Sequence, residues 1–237
     1  MAEKLFVANW KMQFTFHQAT DFVKTNFERL KVLSQSPEKE IVLCPSFTDL
    51  YAVSLLLQNT SIQIGAQNVS EATSGAYTSQ ISATSLAEIG CTHGIIGHSE
   101  SRRFLHETNE IIARKCAELF SQGITPIICI DEETFESQLT LIFNLLLQIK
   151  NNQEYIIAFE PLGAIGTGNI PNIEHIRAMF SRLFTLCSKY TNRFRLLYGG
   201  SVNPENSRSL VAIEHVNGLL IGGASLHIDS FEAIVKS

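Results

Sequence analysis

Short, continuously apolar runs alternate along the chain with longer segments whose apolar residues recur every three or four positions. Eight of the short runs have the length of strands, namely 5–9, 41–44, 62–67, 94–98, 126–130, 156–160, 195–198 and 218–222. Unbroken apolar character is typical of strands in a parallel sheet that is covered on both faces. Helical spacing is found between them, for example in the segments 16–30, 111–120 and 173–186. The pattern predicts an α/β protein in which strands and helices alternate.

Polar residues indicate how the eight predicted βα units are arranged, because they follow the ends of particular strands. They are Asn9 and Lys11 after the first strand, His98 at the fourth, Glu160 at the sixth, Ser201 after the seventh, and Gly222 and Gly223 at the eighth. The ends of the first, fourth, sixth and last strands can meet at one point only if the sheet closes. No linker rich in Pro, Gly or Ser divides the chain. We therefore expect a single closed (β/α)8 barrel over residues 1–237.

Two local motifs predict where helices begin near the C-terminus. Asn203 before Pro204 places a capping side chain ahead of a first-turn proline. Asp229 with Glu232 resembles a capping box.

Composition excludes several classes of protein. The 237 residues are 45% hydrophobic and 17% charged, with a net charge of −5, which is unlike a disordered chain or a basic nucleic-acid or lipid binder. The first residues lack the apolar stretch of a signal peptide, and no run is long enough to cross a bilayer. The five cysteines form no CxxC pair, which favours buried, reduced thiols. We expect a cytoplasmic protein with neither nucleic acid nor membrane as a partner.

Glu160 is a candidate base, because it ends an apolar run and is followed by Pro161. A lone glutamate in such a place is more often a solvated acid or half of an ion pair. The residues that follow shift the balance, because they are uncharged and small, as in a lid that excludes water. This predicted lid consists of Pro161, Leu162, Gly163, Ala164, Ile165, Gly166, Thr167 and Gly168.

His98 and Lys11 are further candidates. If a helix begins after His98, its N-terminus disfavours the imidazolium and leaves a neutral ring that can donate a hydrogen bond, although a structural histidine is an equally good interpretation. Lys11 could meet an anionic substrate, although a surface lysine is the commoner case. The other histidines have no companions at metal-ligand spacing, so we predict no metal site.

Main-chain amides could form an anion site at Gly166, Ser201, Gly222 and Gly223. Loops after the seventh and eighth strands often hold phosphate in barrels, through bare amides and helix N-termini. Each glycine alone could equally mark a tight turn.

Five ordered segments together resemble the triosephosphate isomerase family, over essentially the whole chain. They are Ala8-Asn9-Trp10-Lys11, Ile96-Gly97-His98-Ser99-Glu100, Glu160-Pro161 with Ala164-Ile165-Gly166-Thr167-Gly168, Tyr198-Gly199-Gly200-Ser201-Val202 and Gly222-Gly223-Ala224-Ser225-Leu226. The resemblance implies a TIM barrel. It also implies a cofactor-free enzyme of glycolysis and gluconeogenesis that interconverts D-glyceraldehyde 3-phosphate and dihydroxyacetone phosphate through an enediolate.

The resemblance also implies a role for each matching residue. Glu160 corresponds to the proton acceptor, and His98 to the neutral electrophile, which Asn9 and Lys11 assist. The residues that match the substrate-binding set are Asn9, Lys11, Gly166, Ser201, Gly222 and Gly223. Glu100 is the expected partner of Lys11.

The chain departs from the family pattern in the lid and at the expected dimer contact. Gly163 stands where a tryptophan is usual, which predicts a lid that spends less time closed. Ser101 replaces an arginine and Gln80 a glutamate that pair across the interface in relatives, so both charges are lost together. Thr78 remains to bond Asn9 of a second copy, and Tyr77 is retained, so we expect a homodimer.

Two alternatives to an active isomerase stay open at this point. A barrel that has lost efficient catalysis and persists as a binding protein would explain Gly163. The intact set of Asn9, Lys11, His98 and Glu160 argues against it. Another phosphosugar barrel enzyme is disfavoured, because the segments after the first, fourth and sixth strands all match one family.

Overall fold

Eight parallel strands form the centre of the molecule and close on themselves in chain order. The computed structural model describes residues 3–147, 153–161, 163 and 172–237. The strands are β1 (Lys4–Asn9), β2 (Lys39–Cys44), β3 (Gln63–Ala66), β4 (Cys91–Ile96), β5 (Thr125–Asp131), β6 (Tyr155–Glu160), β7 (Phe194–Tyr198) and β8 (Gly218–Ile221). The predicted TIM barrel is confirmed.

Helices connect the strands. In the part of the chain that the structure describes they are α1 (Phe16–Leu33), α2 (Phe47–Leu57), α3 (Ala83–Glu88), α4 (Ser99–Phe104), α5 (Asn109–Ser121), α6 (Phe135–Leu146), α7 (Ile173–Cys187), α8 (Pro204–Val211) and α9 (Ile228–Val235), with a 3-10 helix at Gly223–Leu226. Within these described residues, no helix combines the length and the apolar character needed to cross a bilayer.

The core has two layers, which explains why the strands are apolar without interruption. Leu5 and Val7 belong to a buried cluster made only of strand residues, and they face the barrel interior. Phe6 and Ala8, which alternate with them, belong to the larger cluster that includes the helices. Since side chains alternate between the two faces of a strand and both faces are buried, every position along the strand favours an apolar residue.

The barrel closes where β8 pairs with β1, and this contact requires a glycine. Gly218 lies opposite Leu5 in the register. A Cβ atom on Gly218 would lie 1.8 Å from the carbonyl oxygen of Leu5. Any side chain at this position would therefore clash and push the two strands apart. Closure places the C-terminal ends of all eight strands on one rim.

One predicted strand is shifted, and one predicted helix cap is wrong. The fourth strand, expected at 94–98, is Cys91–Ile96, because Gly97 turns the chain with a φ of 66°. Helix α9 begins at Ile228, so Asp229 and Glu232 form no capping box and instead bind Arg29. The predicted N-terminus of α8 is confirmed, since the Asn206 amide donates to Oδ1 of Asn203 over 2.9 Å.

Candidate active site

A cavity of about 240 Å³ opens at the C-terminal rim of the barrel. Its lining residues come from the ends of five different strands and are Asn9, Lys11, His98, Glu160, Gly199, Gly200, Ser201, Val202, Leu220, Gly222, Gly223 and Ala224. The structure thus brings together seven of the predicted site residues. An eighth, Gly166, lies outside the described residues.

His98 and Glu160 face each other in this cavity, although their chain positions are far apart. Nε2 of His98 lies 2.9 Å from Oε1 of Glu160, and the two side chains are 8% and 2% exposed. Oε2 of Glu160 accepts a hydrogen bond of 2.9 Å from the Ser99 amide. The His98 ring is not aligned to donate to Oε1, so within the described residues this buried oxygen has no hydrogen-bond donor. A carboxylate oxygen left in this state is available to accept a proton.

The surroundings of His98 favour one form of its ring. His98 precedes helix α4, and its Nδ1 accepts a hydrogen bond of 3.2 Å from the Glu100 amide. The Glu100 carboxylate stays 3.6 Å from the same nitrogen, beyond hydrogen-bond distance. Because Nδ1 is an acceptor, a neutral ring carries its proton on Nε2, which is the nitrogen nearer Glu160. The arrangement fits the neutral hydrogen-bond donor expected from the sequence.

Lys11 is held by three side chains in an unusual backbone conformation. Its φ is 52°, a region that costs a residue other than glycine about 1–3 kcal/mol. Its amide donates to Oδ1 of Asn9 over 3.1 Å, and its carbonyl accepts from Nε2 of Gln67 over 2.8 Å. Its Nζ donates to Oε1 of Glu100 over 2.7 Å. The expected Lys11–Glu100 pair is therefore present, and Asn9 and Gln67 support the backbone that presents the ammonium group.

Gln67 was missed as a site residue by sequence reasoning. Its amide nitrogen also donates to the Cys44 carbonyl over 2.9 Å, so it links the loop after β1 to the end of β2. The signal was present, because Gln67 is a polar residue directly after an apolar run, like Asn9 and Glu160.

Gly222 and Gly223 also line the cavity, and among the described residues their main-chain amides have no acceptor. Gly222 follows β8, and Gly223 begins the 3-10 helix. Within the part of the chain that the structure describes, a Cβ atom on Gly223 would meet nothing within 4 Å, and one on Gly222 would approach only Cε of Lys11, at 3.7 Å. Oγ of Ser225 donates to the Gly222 carbonyl over 2.7 Å and fixes the turn. Amides at a helix start, together with an ammonium group, suit an anion such as phosphate.

Glu107 is a buried carboxylate with several partners. Its carboxylate pairs with Nζ of Lys115 and accepts from Nδ2 of Asn68 over 2.8 Å. It also accepts from the Gly97 amide over 3.2 Å. Both members of the Glu107–Lys115 pair are buried. A buried pair of this kind is stable because every charge has several hydrogen-bond partners.

The structure describes the predicted lid only at Pro161 and Gly163. Leu162, Ala164, Ile165, Gly166, Thr167 and Gly168 lie outside the described residues. Pro161 is buried and Gly163 is exposed, and no described residue lies within 4 Å of where a Cβ atom on Gly163 would be. The described part of the chain therefore leaves room for the start of a side chain at this position.

The comparisons with known proteins agree with this geometry. The family model described as triosephosphate isomerase matches residues 4–237. The triosephosphate isomerase of Dictyoglomus thermophilum is 38% identical over 254 aligned residues, which cover 100% of both chains. That of Aquifex aeolicus is 37% identical over 247 residues, or 99% of each chain, and that of Thermodesulfovibrio yellowstonii is 39% identical over 248 residues, or 100% of each. On the evidence of this full-length similarity, the chain belongs to the triosephosphate isomerase family.

Proposed function

We propose that this chain interconverts D-glyceraldehyde 3-phosphate and dihydroxyacetone phosphate, without a cofactor, by moving a proton between adjacent carbons. The observation that carries the proposal is the approach of Nε2 of His98 to within 2.9 Å of Oε1 of Glu160, in a cavity that also contains Lys11 and bare amides. An acceptor for a carbon-bound proton and a donor for the neighbouring oxygen are thus side by side.

The proposed reaction has two proton transfers at carbon. The Glu160 carboxylate removes a proton from the carbon beside the carbonyl, and the electron pair moves to the carbonyl oxygen to form an enediolate. The Nε2–H group of His98 donates to the two oxygens of this intermediate, and the Lys11 ammonium offsets its negative charge. Nε2 of His98 gives its proton to the charged oxygen and takes the hydroxyl proton of the other oxygen, which moves the negative charge across the intermediate. The protonated Glu160 then returns its proton to the neighbouring carbon while the second oxygen becomes the carbonyl, so aldose and ketose differ only in the positions of hydrogen atoms.

The phosphate group anchors the substrate during these transfers. Ser201, Gly222 and Gly223 line the same cavity as Glu160, and their main-chain amides are the proposed contacts. Gly166 is assigned to the same role through the family resemblance. Residues 161–168 are proposed to act as the lid, because an enediolate exposed to water can expel its phosphate.

Assay of the purified protein tests this proposal. Glyceraldehyde 3-phosphate is supplied as substrate, and dihydroxyacetone phosphate is detected with a coupled dehydrogenase. Glu160→Gln removes the proton acceptor at almost constant size, and we expect kcat to fall by about 10²–10⁴-fold. Glu28→Gln, the same change at an exposed position on α1, is the matched control and keeps full activity. Equal rates for Glu160→Gln and the unmodified protein would refute the assignment.

We also infer that two copies associate. Met12, Phe104 and Leu105 are exposed around a second cavity, of about 300 Å³, which adjoins Lys11 and Glu100. A patch of exposed apolar side chains beside a site is typical of an interface. The loop with Tyr77, Thr78 and Gln80 is proposed to fill this cavity on a second copy, where Thr78 would bond Asn9.

We further propose that the protein is cytoplasmic, which the five buried, reduced cysteines support. The net charge of −5 argues against a nucleic-acid or membrane partner.

A further inference from the structure

We propose that Arg102 is a positioning residue for this reaction, because its guanidinium group fixes the turn that carries His98 and orients Glu160. The inference rests on the proposed isomerase function and adds a residue whose side chain lines no part of the predicted substrate cavity. It depends on four contacts of the segment 97–100.

The first two contacts hold Gly97 from both sides. Nε of Arg102 donates to the Gly97 carbonyl over 2.8 Å, while the Gly97 amide donates to Oε2 of Glu107 over 3.2 Å. Gly97 has a φ of 66°, and a Cβ atom there would lie 2.7 Å from Cδ1 of Ile112. The turn is therefore tight, and both of its main-chain polar groups are tied to charged side chains.

The other two contacts link this turn to the reacting groups. The Glu100 amide donates to Nδ1 of His98, which sets the plane of the ring. The Ser99 amide donates to Oε2 of Glu160 over 2.9 Å, which leaves the other carboxylate oxygen facing Nε2 of His98. A displacement of the turn would consequently move the electrophile and the base together.

Arg102 connects the turn to rigid neighbours. Its Nη1 donates to Oδ1 of Asn109 at the start of α5 over 2.8 Å, and its Nη2 donates to the Cys129 carbonyl of β5 over 3.2 Å. These acceptors and the Gly97 carbonyl are all uncharged, and among the described residues Arg102 forms no ion pair. Its planar fork reaches three acceptors in different directions, while its charge also acts on nearby carboxylates, Glu160 among them. A lysine ammonium lacks this fork.

Two variants test the proposal. Arg102→Lys keeps the charge but cannot reach all three acceptors. Arg102→Ala leaves a space that free guanidinium ion can enter. We expect kcat to fall by about 10–100-fold in both, because small misplacements of reacting groups have effects of this size. The KM for glyceraldehyde 3-phosphate and the inhibition constant of inorganic phosphate should change by less than about threefold, because the proposed phosphate contacts at Ser201, Gly222 and Gly223 are unchanged.

Two further readouts separate positioning from general damage. Added guanidinium ion should restore part of the kcat of Arg102→Ala. The primary deuterium isotope effect on kcat, with deuterium at the transferred position, should increase in Arg102→Lys because proton transfer becomes slower. Arg103→Ala is the matched control, since Arg103 is exposed in the same helix with its guanidinium 5.1 Å from the Phe104 ring centre. It should keep its kcat and show no response to guanidinium.

The possible failures can be distinguished. Absence of isomerase activity in the unmodified protein would refute the proposed function itself. An active protein whose Arg102→Lys variant keeps its kcat would overturn only the role of Arg102. Parallel loss of kcat and phosphate binding in Arg102→Lys, with a lowered unfolding temperature, would also overturn it by showing a purely structural role. If Arg102→Ala does not fold, Arg102→Lys decides between these outcomes.

Discussion

Nζ of Lys11 lies 2.7 Å from Oε1 of Glu100, so the ammonium group beside Gly222 is paired with a carboxylate. The carboxylate keeps the ammonium in place, but it also adds a negative charge near the proposed phosphate position. These two effects oppose each other and can be separated by experiment.

Glu100→Gln removes the charge and keeps an acceptor of similar size. We expect inorganic phosphate to inhibit this variant about two- to fivefold more tightly, because a like charge is removed from a partly exposed position. We expect kcat to fall, because the ammonium group is less firmly placed. Inhibition constants measured beside the Glu28→Gln control test this prediction, and weaker phosphate inhibition would contradict it.

Gly163→Trp should strengthen binding of an enediolate analogue such as 2-phosphoglycolate. No described residue lies within 4 Å of where a Cβ atom on Gly163 would be, so this part of the structure offers no clash to a tryptophan there. A large apolar side chain in place of glycine reduces backbone freedom and adds packing surface for the closed lid. Titration calorimetry measures the affinity, and Gly163→Ala separates the loss of backbone freedom from the added ring. Unchanged or weaker binding by the tryptophan variant would contradict the prediction.

The stability of the fold should depend on pH through His93. Burial lowers the pKa of His93 to about 4, with Glu40 raising it and Arg195 lowering it further. The pKa is thus lower in the folded chain than the usual 6.5 of the unfolded chain. Above pH 6.5 the ring is neutral in both the folded and the unfolded chain. Below pH 6.5 the unfolded chain binds a proton that the folded chain does not, so the free energy of unfolding falls by about 3 kcal/mol as the pH falls towards 4.

Denaturant titrations between pH 7 and pH 4 measure this change. His93→Gln has no titrating ring, so its unfolding free energy should fall less over the same range. If both proteins lose stability in parallel, other groups are responsible and the assignment to His93 is wrong.

The five cysteines should react slowly with a thiol reagent in the native protein. All are buried as free thiols, and burial raises the pKa of Cys91 and of Cys187 to about 12. A thiol in this state contains almost no reactive thiolate near neutral pH. Ellman's reagent should therefore detect five thiols promptly only after unfolding. Rapid reaction of any one of them in the native state would contradict this.

The proposed dimer predicts that Tyr77→Glu dissociates the protein. Tyr77 is exposed on the loop that we propose to contact a second copy, and a carboxylate there would have to be buried without a partner. Sedimentation velocity at micromolar concentration should show a dimer for the unmodified chain and a larger monomer fraction for the variant. A fully active monomer of the unmodified chain would refute the dimer.

The apolar runs located the strands well at their C-terminal ends but less well at their beginnings. β4 starts at Cys91 rather than Gly94, and it includes Thr92 and His93. These polar residues are accommodated because Thr92 bonds Gln63 on the adjacent β3, and His93 lies near Glu40 on β2, one strand further along the barrel. A pattern of hydrophobicity cannot show such long-range polar pairs, because each partner is explained only by the other.

The same limit applies to the site. His98 and Glu160 were visible in the sequence because each is a polar residue that ends an apolar run, and closure of the barrel brings such residues together. Gln67 has the same signal and could have been found. Arg102 could not have been found in this way, since it lies on a short helix. Its acceptors are the carbonyl of a turn, the carbonyl of a strand residue and the side-chain oxygen of an asparagine on another helix. Only the folded chain brings these groups within reach.

The contact between Gly218 and Leu5 joins nearly the first described residues to nearly the last, and this has a consequence for synthesis. A chain still emerging from the ribosome has β1 with one unpaired edge until β8 appears. The cavity needs Asn9 and Lys11 from one terminus and Gly222 from the other. Chains that still lack β8 therefore have an incomplete cavity, and until β8 is made they present an open sheet edge that chaperones can recognise.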